Sequence, residues 1–155
     1  MKQDSLFGKS KSFAKSNSPR TNFAATANID GGARGNPGPA AYGVIIRNGQ
    51  GEVLAELGEY LGIQTNNVAE YSGLLAALDW ASREKMSSLK VLSDSELLVR
   101  QMRGQYKVKN PALKELFDRA QAMVRRLEHF AIEHVRREAN RDADRMVNQV
   151  LDRNR

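Results

Sequence analysis

The chain has no cysteine. Disulfide staples, thiolate metal sites and cysteine nucleophiles are thereby excluded. Two histidines are too few for a histidine-rich zinc centre. No apolar run approaches the roughly 18 residues of a membrane-spanning helix, so no membrane partner is expected. The N-terminal stretch lacks the apolar centre of a secretory signal. There is no internal repeat and no heptad array, which leaves a monomer as the expectation. Acidic residues are outnumbered, 18 against 24 basic ones.

What is present suffices for one domain. The 155 residues are 41% hydrophobic and 27% charged, with five Phe, four Tyr and one Trp, enough apolar material for a single core. The excess charge is uneven. Residues 1–21 carry Lys2, Lys9, Lys11, Lys15 and Arg20 against Asp4 alone, so +4 of the net +6 sits there. This Ser-, Lys- and Asn-rich stretch has no apolar period and is read as a disordered basic tail. A solvated tail, a nucleic-acid-binding arm and an organelle-targeting peptide all fit its composition. The chain is otherwise expected to be cytoplasmic. Residues 22–155 are read as the folded domain.

Within that domain, Phe23 to Asp30 reads as a strand ending at a Gly/Pro-rich turn, Gly31 to Pro39. Ala41 to Arg47 and Glu52 to Leu61 flank the hairpin signal Asn48-Gly-Gln-Gly51. A helix capped by Asn66 or Asn67 runs to about Lys85, with Val68, Tyr71, Leu75 and Leu78 on one face. Ser88 to Ser93 is a short strand, and Ser95 to Met102 a short helix. Asn110-Pro111 opens a helix to about Leu127. His129 to Arg136 alternates as a fifth strand, and Asn140 opens a last helix to about Asp152. A meander followed by alternating helices and strands means an α/β fold with a mixed sheet.

Four carboxylates fall at informative places. Asp30 ends the first strand and Asp94 follows the fourth; parallel neighbours would open on one edge of the sheet, where α/β proteins place their sites. Glu70 and Asp144 fall in the first turns of the first and last long helices, which can reach the same edge. The helix dipole alone would explain an acid in a first turn. It does not explain Asp30, whose carboxylate at the end of an apolar strand is costly without compensation. Hard divalent cations supply that compensation. Four carboxylates could hold two such ions about 3.5–4 Å apart, an arrangement suited to phosphoryl displacement.

Four segments carry a resemblance. They are IDGGARGNPGPAAYG (29–43), TNNVAE (65–70), LSDS (92–95) and NRDADRMV (140–147). In this order, with these elements between them, they resemble type 1 ribonuclease H, over about residues 24–152. The resemblance implies a ribonuclease H-like fold with a five-stranded sheet in the order 3-2-1-4-5. It implies metal-dependent hydrolysis of the RNA strand of an RNA–DNA hybrid, leaving 5′-phosphate and 3′-hydroxyl ends. It makes Asp30, Glu70, Asp94 and Asp144 the metal-binding and catalytic carboxylates, with two Mg²⁺ ions, or Mn²⁺, as cofactor. Asn36, Asn66 and Asn67 correspond to groove-contacting residues, and Thr65 to part of a pocket for a DNA-strand phosphate. Asn as turn former and helix cap is the plainer reading of Asn36 and Asn66, and both uses are compatible.

The chain also departs from the family pattern. The segment before the last carboxylate, Val135-Arg-Arg-Glu-Ala-Asn140, has no counterpart of the usual mobile His. Glu138 is the substitute by position for proton transfer or product release, and His129 and His134 read as half-buried strand residues. Only residues 95–109 separate Asp94 from the Asn110 cap, which leaves no room for an extra basic helix and loop. Arg100, Arg103, Lys107 and Lys109 in that stretch face a single acid, Glu96. The tail could supply affinity in place of the missing element. A hybrid-binding module that does not cut, and a nuclease of the same fold acting also on double-stranded RNA, are the alternative functions.

Overall fold

A computed structural model describes residues 22–155, so the basic tail lies outside the described residues. Five strands form one sheet in the order β3-β2-β1-β4-β5, as the resemblance implies. They are β1 (Ala25–Ala33), β2 (Gly38–Arg47), β3 (Val53–Gln64), β4 (Ser88–Ser93) and β5 (His129–His134). β1 pairs antiparallel with β2 and parallel with β4, and β4 pairs parallel with β5. The helices among the described residues are α1 (Asn66–Arg83), α2 (Glu96–Met102), α3 (Pro111–Val124) and α4 (Arg141–Arg153). A single 3-10 turn, Arg137–Asn140, precedes α4.

Alternation along β1 divides the molecule. Ala25, Ala27 and Ile29 point into the main core with Leu74, Leu78, Leu89, Val91 and Ile132. Thr26, Asn28 and Asp30 lie on the opposite face by the period-2 rule. There α4 packs through a smaller cluster of Ala41, Val147, Val150 and Leu151. α1 is buried well beyond the single face expected: Leu74, Ala77, Trp80 and Ala81 are buried along with Tyr71, Leu75 and Leu78. It lies between β1 and α3, so two sides are covered. The buried Tyr71 hydroxyl donates to Gln101 Oε1 at 2.8 Å, which satisfies both polar groups.

Several boundaries differ from the sequence reading: β3 runs on to Gln64 rather than Leu61, β5 ends at His134 rather than Arg136, and α1 and α3 end at Arg83 and Val124. β1 does not stop at Asp30 but continues through Gly31, Gly32 and Ala33, paired with Tyr42, Ala41 and Ala40 of β2. Backbone pairing needs no side chain, so this part of the glycine-rich segment joins the ladder. The turn shrinks to residues 34–37. Thr65, not Asn66 or Asn67, caps α1, its Oγ1 accepting from the Val68 N–H at 3.2 Å. Glu70 therefore lies in the second turn, beyond the range in which the helix dipole would explain it.

Candidate active site

The parallel ladder between β1 and β4 ends at the Ile29–Ser93 pair. Asp30 and Asp94 are the next residues on each strand, so they emerge side by side at one sheet edge. Glu70 arrives from above. Gly31 makes this possible: a Cβ there would lie 2.3 Å from the Ala69 carbonyl carbon and 2.5 Å from the Glu70 nitrogen. Only a glycine lets the α1 backbone come this close to β1. Carboxylate oxygens of Asp30, Glu70 and Asp94 consequently lie within 4.8 Å of one another.

Asp144 reaches the same place from the opposite face. In register with Asp30 across the β1–β2 ladder is Gly43. A Cβ on Gly43 would sit 2.6 Å from the Ala143 carbonyl oxygen and 2.7 Å from the Met146 Cβ. The start of α4 thus rests directly on the sheet beside Asp30. Asp144 is close enough to raise Asp30, by its charge and by a side-chain hydrogen bond, and its charge also raises Asp94. The structure brings all four acids together, three in a tight group and Asp144 joined to it through Asp30.

This is an electrostatically unhappy site without a counter-charge. Burial, then the charges of Asp94 and Asp144, push Asp30 up to about 8. Burial above all pushes Glu70 up to about 7, against a hydrogen bond donated by the Ser95 hydroxyl. Burial also raises Asp94, which the Arg137 guanidinium partly offsets. Among the described residues, none of the four enters a salt bridge. An all-oxygen donor set with mutually repelling carboxylates fits a hard divalent cation such as Mg²⁺.

The polar residues expected to read substrate gather at the β1–β2 turn and the start of α1. The Asn36 Oδ1 accepts from the Asn66 N–H at 3.0 Å, and the Asn66 Oδ1 accepts from the Ala33 N–H at 2.8 Å. The two asparagines thus stitch the β1–β2 turn to the start of α1. Each spends its carbonyl oxygen and keeps its amide NH₂ for another acceptor. Asn67 is half-buried beside them.

The expectation for the two histidines needs correction. His129 and His134 are exposed, not half-buried, because they occupy the two ends of β5. His134 pairs in register with Ser93 and acts electrostatically on Asp94 and Glu96. Glu138 stands in the 3-10 turn and lines a cavity of about 200 Å³ with Asn28, Arg47, Asn140, Arg141 and Asp142. The groups that reach Asp94 from this segment are Arg137 and His134. Two of the four basic residues after Asp94 are committed internally. Arg100 pairs with Glu96 at 2.7 Å, and Arg103 donates to the Ile132 carbonyl on β5 at 2.7 and 3.0 Å. Sequence reasoning overlooked Ser95, Arg137 and Asn140. Ser95 was detectable as a cap one residue past Asp94; Arg137 carried no signal beyond its charge.

Comparison with known proteins gives a consistent result. The reverse transcriptase-like family matches residues 28–150. A bifunctional protein of Mycobacterium tuberculosis is 46% identical over 124 residues, 79% of this chain and 34% of that protein. The N-terminal RNase H domain of that protein, solved as a fusion, superposes with a TM-score of 0.81 at 43% identity, covering 85% of this chain and 96% of that one. Ribonuclease HI of Halobacterium salinarum is 38% identical over 126 residues, 81% of this chain and 63% of that protein. Its crystal structure gives a TM-score of 0.80 at 37% identity, covering 83% of this chain and 98% of that one. LC11-RNase H1, solved in complex with an RNA/DNA hybrid, gives 0.78 at 43% identity over 83% and 97% of the two chains. The chain spans about a third of the length of the mycobacterial relative.

Proposed function

The chain belongs to the ribonuclease HI family, and on that premise we propose that it hydrolyses the RNA strand of RNA–DNA hybrids, leaving 5′-phosphate and 3′-hydroxyl ends. The observation that carries this reading is the group of three carboxylates within 4.8 Å on this fold, with Asp144 beside it. Asp30, Glu70, Asp94 and Asp144 would hold two divalent cations, Mg²⁺ or Mn²⁺, which when bound lower the pKa of an attacking water and stabilise the leaving 3′ oxygen.

The chain's own residues do the rest. Asp30 and Glu70 give up their protons when the cations bind, so loading improves as pH rises toward the Asp30 value of about 8. The Asn36 and Asn66 amide groups donate to 2′-hydroxyl or base-edge acceptors in the minor groove, which suits recognition of a hybrid without regard to sequence. The Thr65 hydroxyl oxygen already accepts from Val68, so its proton is left to donate to a phosphate oxygen. Asn67 stands beside these donors and contributes to the same groove. Glu138, in the 3-10 turn ahead of α4, is the residue placed by position for proton transfer or product release.

The test is cleavage of a labelled RNA–DNA hybrid with Mg²⁺ or Mn²⁺, wild type beside Asp94→Asn, with RNA and DNA duplexes in parallel. Cutting of the hybrid alone, lost in Asp94→Asn, supports the proposal. Equal cutting of RNA duplex points to a broader nuclease. Hybrid binding without cutting by wild type points to a binding module.

A further inference from the structure

Asn140 is the one residue of its segment that is sealed from solvent, 1% exposed among the exposed Arg136, Arg137, Glu138 and Arg141. It occupies the N-cap position of α4 yet makes no capping bond. Its amide is spent across the sheet instead. Nδ2 donates to the Ile29 carbonyl at 2.8 Å, and Oδ1 accepts from Asn28 Nδ2 at 2.9 Å. Both partners are on β1, immediately before Asp30. A residue that only needed to cap a helix would bond its own N–H groups. A residue that only needed to fill space would be apolar, because a buried amide is costly unless both its ends are satisfied.

The spacing gives the arrangement a purpose. Asp144 follows Asn140 by four residues, so the two lie on the same helix face about 6 Å apart along the axis. The face that docks Asn140 onto β1 therefore presents Asp144 to Asp30. Gly43 allows α4 to approach but does not set its rotation or its position along the strand. The apolar cluster under α4 lies further along the helix, at Val147, Val150 and Leu151.

We propose that the Asn28–Asn140 pair is a positioning device that sets Asp144 against Asp30. This rests on the metal-site reading above, and it acts through Asp144 rather than on substrate. Asn140→Ala removes both bonds, whereas Asn28→Ala removes one and keeps the bond to Ile29.

The first test is independent of activity: the metal-free crystal structure of Asn140→Ala, in which Asp144 is expected to be drawn away from Asp30 by about 1 Å or more. An unmoved Asp144 overturns the proposal. The second is Mn²⁺ binding by calorimetry without nucleic acid, with affinity expected to fall about tenfold in Asn140→Ala and less in Asn28→Ala. Asn140→Ala in the Asp144→Asn background is then expected to cost no further affinity, because a device that works through Asp144 has nothing left to position. Additive losses mean a general structural role and overturn it. Should Asn140→Ala fail to fold, Asn28→Ala carries the same three measurements. Unchanged affinity and an unmoved Asp144 in that variant are equally fatal. Failure of the wild type to bind Mn²⁺ or cut hybrid would sink the functional reading, while the structural test would still decide this one.

Discussion

The two helices that deliver carboxylates to β1 do so by different means. α1 brings Glu70 from the main-core side, with nine buried residues along its 18. α4 brings Asp144 from the other side, with four buried residues along its 13. Each meets the sheet at a glycine, Gly31 for α1 and Gly43 for α4. After that contact the similarity ends. α1 is held by the bulk of the hydrophobic core. α4 is held by a small cluster and by polar pins: Asn140, the Arg47–Asp142 pair at 2.6 Å, and the Arg34–Asp152 pair at 2.9 Å. Apolar packing is strong and non-directional, whereas hydrogen bonds are weak in net energy and strict in geometry. On the α1 side, position is a by-product of stability. On the α4 side, position is specified almost separately from stability.

Paired glycine substitutions would strain this contrast most. Gly31→Ala forces a Cβ to 2.3 Å from the Ala69 backbone, which cannot yield without moving α1. It should cost about 3 kcal/mol or more and abolish cleavage. Gly43→Ala, with its clash at 2.6 Å against the Ala143 oxygen, should cost only about 1–2 kcal/mol because α4 can ride outward. Its rate should still fall about 100-fold through a misplaced Asp144. Denaturant melts beside single-turnover rates measure both; equal stability losses would erase the difference between the two sides.

The pH dependence sharpens the comparison next. Asp30 and Glu70 hold their protons up to about 8 and about 7 in the folded chain, against about 4 when unfolded. The folded state binds more protons over that window, so metal-free stability should fall as pH rises from about 4 to about 8. Thermal melts in chelator should show that decline, and melts in Mg²⁺ should flatten or reverse it. A rise in chelator would contradict the assigned burial. Asp30→Asn, which removes the charge most opposed by its surroundings, should raise the metal-free melting temperature while ending cleavage.

Smaller effects are expected at the pins and at the rim. Breaking the half-exposed Arg47–Asp142 pair with Arg47→Gln should cost about 0.5 kcal/mol. Lys107 and Lys109 are exposed and enter no salt bridge among the described residues, while Arg100 and Arg103 are occupied. Lys107→Gln with Lys109→Gln should therefore lower the salt slope of hybrid binding by about one per lysine contact and leave the cleavage step unchanged. No change in slope would place the electrostatic grip elsewhere, with the basic tail next to be deleted.

Much of this was legible before folding. Period-2 and period-3.6 patterns located the five strands and four helices, and the turn signal at Asn48 found its hairpin. Asp30 and Asp94 stood out because apolar strands rarely end in uncompensated acids. The misread details share one cause. Asp30 lies inside β1 rather than at its end, since what stops there is the parallel pairing with β4. Thr65 caps α1 while the Asn66 backbone and side chain are engaged by Asn36 and Ala33.

By itself, then, the sequence determined the order of the elements, a mixed sheet and the acids at its edge, because burial periodicity and turn chemistry are local properties of the chain, while the strand order was implied by the family resemblance. Only the tertiary structure decided which polar groups find one another. Asn140 reaches Ile29 across 111 positions and Arg103 reaches Ile132 across 29. Such bonds depend on donors and acceptors falling within about 3 Å once the core has closed. No local pattern encodes that distance, and it is by that distance that Asp144 is held to the other three carboxylates.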